Sequence, residues 1–307
     1  MLSETILNLE TNLNQMKNEE YNTLKLVTWN INGIRSRIFN NKTSTQLTKK
    51  KYVSADNDSS ISNLINETKA DIICLQETRC DENTGKLMLL EGYNSYFNCS
   101  KLDGARSSNR YSGTAIYTKI VPEKIEYNVP EYDDKEGRII IMYFPEFVLI
   151  NVYSPNSGTN YDNKILFQDA LLNFIKDLDK SKRVIYCGDF NIAVDTHFDK
   201  SKVSPCPGIY KHELDYYKLL NAIGMEDAKT KEDNVVYTWW DQRSKRITIP
   251  ETQKETNILR YKNKGWRIDY IFTSGFLHAE SRVLKHIGEE YCPHASDHAP
   301  VFGILRY

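Results

Sequence analysis

Apolar residues in this chain gather in short runs separated by polar, turn-forming segments. LKLVTW (24–29), ADIICLQ (70–76), SGTAIYT (112–118) and RVIYCGDF (183–190) are nearly continuous apolar stretches, the pattern of strands covered on both faces. RIIIMYF and EFVLINVYS flank Pro145 and predict a β-hairpin. WRIDYIF (266–272) and APVFGIL (299–305) complete the strand set. Helical patterns fall between these runs. Residues 165–178 place apolar side chains at i, i+3, i+4 and i+7, and 212–224 form a second helix closed by Gly224. A further helix is expected over 59–69. In the first 23 residues Ile6, Leu9, Leu13 and Met16 sit near helical spacing, and a short helix or a floppy tail fits equally. Residues 39–60 read as a polar insertion.

Strands interspersed with helices, some joined as hairpins, predict an α/β fold of two packed mixed β-sheets flanked by helices. No Gly/Ser- or Pro-rich linker divides the chain, so residues 24–307 are read as one domain behind an N-terminal extension of 1–23. Residues 1–23 hold no long apolar segment, and no window is long enough to cross a bilayer. The six cysteines are dispersed without a C-x-x-C pair, which argues against zinc; Cys74 and Cys187 sit in apolar runs as buried thiols. An intracellular, reducing location is expected: nuclear in a eukaryote, otherwise cytoplasmic or viral.

The apolar runs end in polar residues of a chemical kind. Six clusters recur: Trp29-Asn30-Ile31-Asn32, Gln76-Glu77-Thr78, Asn151 through Asn156, Asp189-Phe190-Asn191, Arg267-Ile268-Asp269-Tyr270 and Asp297-His298. Each alone is ordinary, since a lone Asp-x-Asn is usually a turn and a lone Glu a salt-bridge partner. Together they suit phosphodiester hydrolysis. Glu77, assisted by Asn30, offers hard oxygens to Mg²⁺ (or Mn²⁺). Asp189 can orient and deprotonate a water, and Asn191 and Asn156 can donate amide N–H groups to phosphate oxygens. His298, held by Asp269, is a charged donor, and Tyr153 can bind the phosphate or the leaving oxygen.

Charge refines the picture only locally. Lys and Arg number 40 against 41 Asp and Glu, a net of −1. Residues 35–51 carry six basic residues and no acid, and residues 242–267 carry eight against Glu251 and Glu255. These are either solvated loops or phosphate-tracking surfaces.

The segments VTWNINGIRSR, ADIICLQETRCDE, YSGTAIYT, EGRIIIMYF, NVYSPNSG, VIYCGDFNIA, YTWWDQRS, GWRIDYIF and SDHAPVFG occur in this order across residues 24–307. They resemble the exonuclease III branch of the endonuclease/exonuclease/phosphatase superfamily, the abasic-site (AP) endonucleases. The resemblance implies a four-layered α/β sandwich with its site at one edge of the two sheets. It also implies Mg²⁺-dependent incision of double-stranded DNA 5′ to an abasic site, with related 3′-end trimming, by a monomer that needs no membrane. By the same resemblance Asn30 and Glu77 lie on the metal side with Asp297 as a second carboxylate. Tyr153 and Asn156 contact phosphate, Asp189 and Asn191 handle water and phosphate, and Asp269 with His298 forms the acid–imidazole pair. Asn32 matches the bacterial form, where other members have Asp. Arg79 and Arg138, inside matching segments, are expected at the substrate phosphate.

Trp239, Trp266 and Ile268 correspond to an apolar pocket for a flipped-out sugar. Such a cup has its own logic, because a baseless sugar leaves a duplex without losing a stack. The alternative makes Trp239, Trp240 and Trp266 core aromatics. Inositol-phosphate phosphatases, sphingomyelinases and deadenylases share GDxN- and SDH-like segments, but GWRIDY disfavours them. A non-catalytic DNA-binding relative ranks last, since Glu77, Asp189, Asn191, Asp269 and His298 are all present.

Overall fold

Consecutive residues of the central strands point to different cores, and this alternation builds the layers. The computed structural model describes residues 21–38, 53–54, 59–102, 111–229, 236–249, 255–287 and 296–307. The twelve strands of the two main sheets are Thr23–Asn30 (β1), Ile72–Gln76 (β2), Asn94–Asn98 (β3), Thr114–Thr118 (β4), Lys124–Glu126 (β5), Ile139–Tyr143 (β6), Phe147–Tyr153 (β7), Arg183–Asp189 (β8), Glu226–Asp227 (β9), Asp269–Ser274 (β10), His278–Val283 (β11) and Val301–Arg306 (β12). One six-stranded sheet has the order β11-β12-β1-β2-β4-β3, the other β9-β10-β8-β7-β6-β5.

In each sheet the central pair is parallel and the flanking pairs are antiparallel: β1 with β2, and β7 with β8. Parallel neighbours need a crossover, which a helix usually provides. Ser60–Thr68 (α1) lies between β1 and β2, and Tyr161–Asp177 (α2) between β7 and β8. Ser59 Oγ caps α1 by accepting from Ser62 N at 3.2 Å, and Asn160 caps α2 by accepting from Asn163 N at 3.2 Å. A third helix, Lys211–Ala222 (α3), follows β8.

Leu26, Ile72, Cys74, Ile140, Leu149, Ile185, Cys187 and Ile271 fill the space between the sheets. Their chain neighbours Val27, Ile73, Ile141, Ile150, Tyr186 and Phe272 face the helical layers. Ile61 and Leu64 of α1 cover the first sheet, and Phe167, Leu171, Ile175, Tyr216 and Leu220 cover the second. The order is helix, sheet, sheet, helix, as expected. Each such buried aliphatic side chain contributes roughly 1.5–3 kcal/mol of transfer free energy. One polar bridge crosses the apolar middle layer. Gln76 Nε2 donates to Asn151 Oδ1 at 2.7 Å and Thr28 Oγ1 at 2.9 Å, and Asn151 Nδ2 donates to the carbonyls of Leu75 and Ala115.

WRIDYIF is not one strand. Trp266–Arg267 pairs with Asp195–Thr196, while β10 pairs with β8. The break comes at Ile268, whose N–H, with that of Asp269, donates to Thr238 Oγ1, while its carbonyl accepts from Phe190 N. Asp269 therefore begins a strand rather than sitting inside one. The possible helix within 1–23 and most of the 39–60 insertion lie outside the described residues. Among the described residues no helix is long and apolar enough to cross a membrane.

Candidate active site

The carboxyl ends of the two parallel pairs meet at one edge of the sandwich, and strand register puts the chemistry there. Asp189, the last residue of β8, lies opposite Tyr153 of β7 on one side and Asp269 of β10 on the other. Gly188 makes this possible. Its φ is +141°, and a Cβ there would stand 1.9 Å from the Val152 carbonyl oxygen, so no other residue fits. After Asp189 the chain turns at Asn191, whose φ is 49° and whose N–H donates to Asp189 Oδ1 at 2.9 Å.

The first sheet delivers its residues differently. Asn30 ends β1, but Glu77 follows β2 in a left-handed turn, with φ of 51° at Glu77 and 49° at Arg79. Such conformations cost about 1–3 kcal/mol each and persist when the surroundings over-determine them. Here Gly33 N and Ile34 N donate to the carbonyls of Glu77 and Thr78, while Thr78 N and Arg79 N donate to those of Gly113 and Ser112.

Asn30 Nδ2 joins the two halves, donating to Glu77 Oε1 at 3.2 Å and to Asp189 Oδ2 at 2.9 Å. Tyr153 OH donates to Glu77 Oε1 at 2.5 Å, and the Arg79 guanidinium grips Glu77 Oε2. Burial raises the Glu77 carboxyl, but Arg79, Tyr153, His298 and Asn30 outweigh it and hold it below the usual range. The opposite holds at Asp189, which is 1 % exposed. Burial, reinforced by the charge of Asp269, pushes it up to about 7 against the pull of His298, Asn30 and the Asn191 N–H. His298 Nδ1 shares a hydrogen bond with Asp269 Oδ2 at 2.9 Å, and its Nε2 faces Asp189 Oδ2 at 3.9 Å. Burial disfavours charge on this ring, yet Asp269, Asp189 and Asp297 prevail and raise it to about 10. The imidazole is therefore a cation at neutral pH, poised between two carboxylates. Ser296 Oγ locks the segment by donating to Asn30 O while accepting from His298 N.

Glu77 and Tyr153 line a pocket of about 200 Å³ together with Asn156, Asn191, Trp239, Trp266, Ile268, Asp297, Pro207 and Gly208, while Asp189, Asp269 and His298 are buried outside that lining. Trp239 and Trp266 meet edge to face at 5.5 Å. Gly208, with φ of +93°, lets the Trp266 ring press on its backbone, since a Cβ would come within 2.8 Å of the ring. Trp240 instead is 1 % exposed, in the core. Trp239 Nε1 and Asn32 Nδ2 both donate to the Asp297 carboxylate, at 3.1 and 3.0 Å.

Most of the expected residues thus share one site. Arg138 does not line the pocket: it is buried behind Tyr153, with its guanidinium 4.5 Å from that ring, donating to Tyr153 O and Glu136. Arg79 is half exposed and engaged with Glu77. Asn191 commits Nδ2 to Ser154 O and accepts weakly from Asn156. In the basic run 242–267, Arg243 pairs with Asp241 and Arg246 with Glu255, while Arg260 turns inward to the carbonyls of Lys285, Ile287 and Ser296. Nothing in the sequence pattern marked Pro207 or Gly208, while Thr238 and Ser296 lay inside the matching segments YTWWDQRS and SDHAPVFG without an assigned role.

Two groups of oxygens could receive a cation. Asp189, Asp269 and His298 bring ligand-type atoms within 4.8 Å of one another. His298 Nδ1 is taken up by Asp269 Oδ2, however, and none of the three lines the pocket. Glu77 and Asp297 face the same pocket as ionised or hydrogen-bonded carboxylates, with Asn30 and Asn32 between them. This hard, oxygen-rich set fits a small divalent cation better.

Comparisons with known proteins agree with this architecture. The chain is 30 % identical over 284 residues to an exodeoxyribonuclease of Bacillus subtilis, covering 88 % of this chain and 97 % of that one. It is 30 % identical to recombination repair protein 1 of Drosophila melanogaster over 92 % of this chain, though that stretch is 37 % of the fly protein. An AP endonuclease structure from Leishmania major has the same fold, with a TM-score of 0.68 at 22 % identity over 93 % of this chain and 88 % of that one. The pattern described as the endonuclease/exonuclease/phosphatase family matches residues 27–298, and the chain belongs to that family.

Proposed function

We propose that the protein is a base-excision-repair AP endonuclease. It hydrolyses the phosphodiester 5′ to an abasic site in double-stranded DNA, leaving a 3′-hydroxyl and a 5′-deoxyribose phosphate, with accompanying 3′-end trimming. One observation carries the reading. A Glu77 carboxylate lines the same pocket as the Trp239–Trp266 pair, and Asn30 Nδ2 ties it to a buried carboxylate–imidazole–carboxylate group of Asp189, His298 and Asp269. The relatives named exodeoxyribonuclease and AP endonuclease point to DNA as the polymer.

In this reading the extruded sugar sits against Trp239, Trp266 and Ile268, and a normal nucleotide is too large for the cup. Asp189 takes a proton from the attacking water as its oxygen bonds to phosphorus and the bond to O3′ breaks. The His298 imidazolium donates to a non-bridging oxygen as charge builds there, its orientation set by Asp269. Asn156 and Asn191 bind the phosphate, and Tyr153 keeps the Glu77 carboxylate in place. Glu77, Asp297 and Asn30 would hold Mg²⁺, which would supply positive charge against the phosphate and the leaving oxygen, and the departing O3′ takes its proton from solvent to become the 3′-hydroxyl. The test is gel-resolved cleavage of an end-labelled duplex carrying one tetrahydrofuran abasic analogue, with Mg²⁺ and with chelator. A single Mg²⁺-dependent cut on the 5′ side of the lesion is expected, and an intact lesion strand alongside release of inorganic phosphate from phosphate monoesters would rule the assignment out.

A further inference from the structure

Lys164 is the least expected buried group in the molecule. It lies in the first turn of α2 and is 0 % exposed. Its Nζ donates to the carbonyl of Phe190 at 2.5 Å and reaches that of Asn191 at 3.4 Å. These carbonyls belong to the turn that follows Asp189. Glu213 of α3, also 0 % exposed, favours the ammonium through its charge without forming an ion pair with it. Glu213 Oε1 accepts from Ser157 Oγ at 2.6 Å, and its Oε2 accepts from Tyr210 N at 2.9 Å. Ser157 follows Asn156, and Asn191 follows Phe190. Two buried charges of opposite sign therefore underlie the two asparagines that face the pocket, Lys164 at the turn of Asn191 and Glu213 at the residue after Asn156.

We propose that Lys164, backed by Glu213, is a positioning residue that holds Asn191 and Asn156 in register as a phosphate-binding pair, and that substrate binding and turnover depend on it. The inference rests on the reading of the pocket as a DNA phosphate site. A methionine could fill the volume but could not donate to the two carbonyls. The two carbonyls it bonds belong to a turn whose Asn191 side chain lines the pocket. The charged groups acting on Lys164 are Glu213 from α3, Asp189 from β8 and Arg138, which precedes β6. His212 of α3, 3.5 Å from Ser157 Oγ, sits beyond Glu213. Burial lowers the lysine to about 8, with Glu213 and Asp189 holding it up, so it carries its charge at neutral pH.

The experiment compares wild type, Lys164→Met, Lys164→Arg and the double variant Lys164→Met/Glu213→Gln on the abasic duplex, with KM, kcat and melting temperature measured for each. Misplacing the asparagines should raise KM and lower kcat, reducing kcat/KM at least about tenfold in Lys164→Met, with partial recovery in Lys164→Arg. The double variant removes both buried charges. It keeps the test available if the single variant does not fold, and it should show the same kinetic loss at a near-normal melting temperature. Unchanged KM and kcat in a folded variant, whatever its melting temperature, would overturn the inference. Wild type that does not incise the duplex at all would instead refute the assigned function, so the two failures are distinct.

Discussion

The two sheets are built alike and used differently. Each has a single parallel pair at its centre, and each sends the carboxyl ends of that pair to the same edge. The second sheet presents Tyr153, Asp189 and Asp269 straight from strand positions in register, with both aspartates buried. The first sheet presents Glu77 and Arg79 from a left-handed turn beyond the strand, at the pocket mouth; the Glu77 side chain is 14 % exposed and that of Arg79 is 48 %. Proton transfer needs groups with displaced pKa values, so Asp189 and His298 sit where burial and neighbouring charges can displace them. Cation binding needs an ionised carboxylate that water and ion can reach, and Glu77 is held in that state by Arg79 and Tyr153.

Substitutions should separate the two corners. The largest effect is expected from Asp189→Asn, which should lower single-turnover incision by about 10²–10⁴-fold at every Mg²⁺ concentration, with no fall in melting temperature. Recovery at high Mg²⁺ would move Asp189 to the cation side. Glu77→Gln should also slow incision, but its Mg²⁺ titration should shift upward at least about tenfold and much of the rate should return at saturation. An unmoved Mg²⁺ midpoint would remove Glu77 from cation binding.

A change beneath both corners should affect stability more than chemistry. Asn151→Leu removes one acceptor of Gln76 Nε2, which keeps Thr28 Oγ1, and the amide donor to the carbonyls of Leu75 and Ala115, costing about 1–3 kcal/mol in denaturant unfolding while leaving most activity at low temperature. Wild-type stability in that variant would show that the bridge between the sheets does little. The smallest effect concerns a single proton. In metal-free protein the His298 ring should titrate near pH 10 by NMR. Asp269→Asn removes a negative charge that favours the imidazolium, so the titration should move down; an unchanged value would discard Asp269 as the cause.

Much of this was legible because the strands carrying the site are apolar on both faces and stop at Asn30, Gln76 and Asp189. Where burial is one-sided the signal faded. Asn94–Asn98 and His278–Val283 are edge strands with mostly half-buried residues, and their sequences do not alternate cleanly. The break at Ile268 was hidden because the residues on both sides are apolar, and it depends on Thr238 from a distant segment. Pro207 and Gly208 enter the pocket from a loop whose position only the assembled fold determines. Lys164 was readable in principle. It occupies the stripe shared by Phe167, Gln168, Leu171 and Ile175, and a charge on the buried face of an amphipathic helix calls for a partner. Arg138 matched a motif, but only its packing against Tyr153 shows that it works from behind.

The division of labour is tested most directly by locating the ion. Crystals soaked with Mn²⁺ and measured at the manganese edge should show an anomalous peak beside the Glu77 carboxylate, toward Asp297, within about 2.0–2.2 Å of at least one oxygen. A peak enclosed by Asp189, Asp269 and His298, with Glu77 unoccupied, would contradict the account.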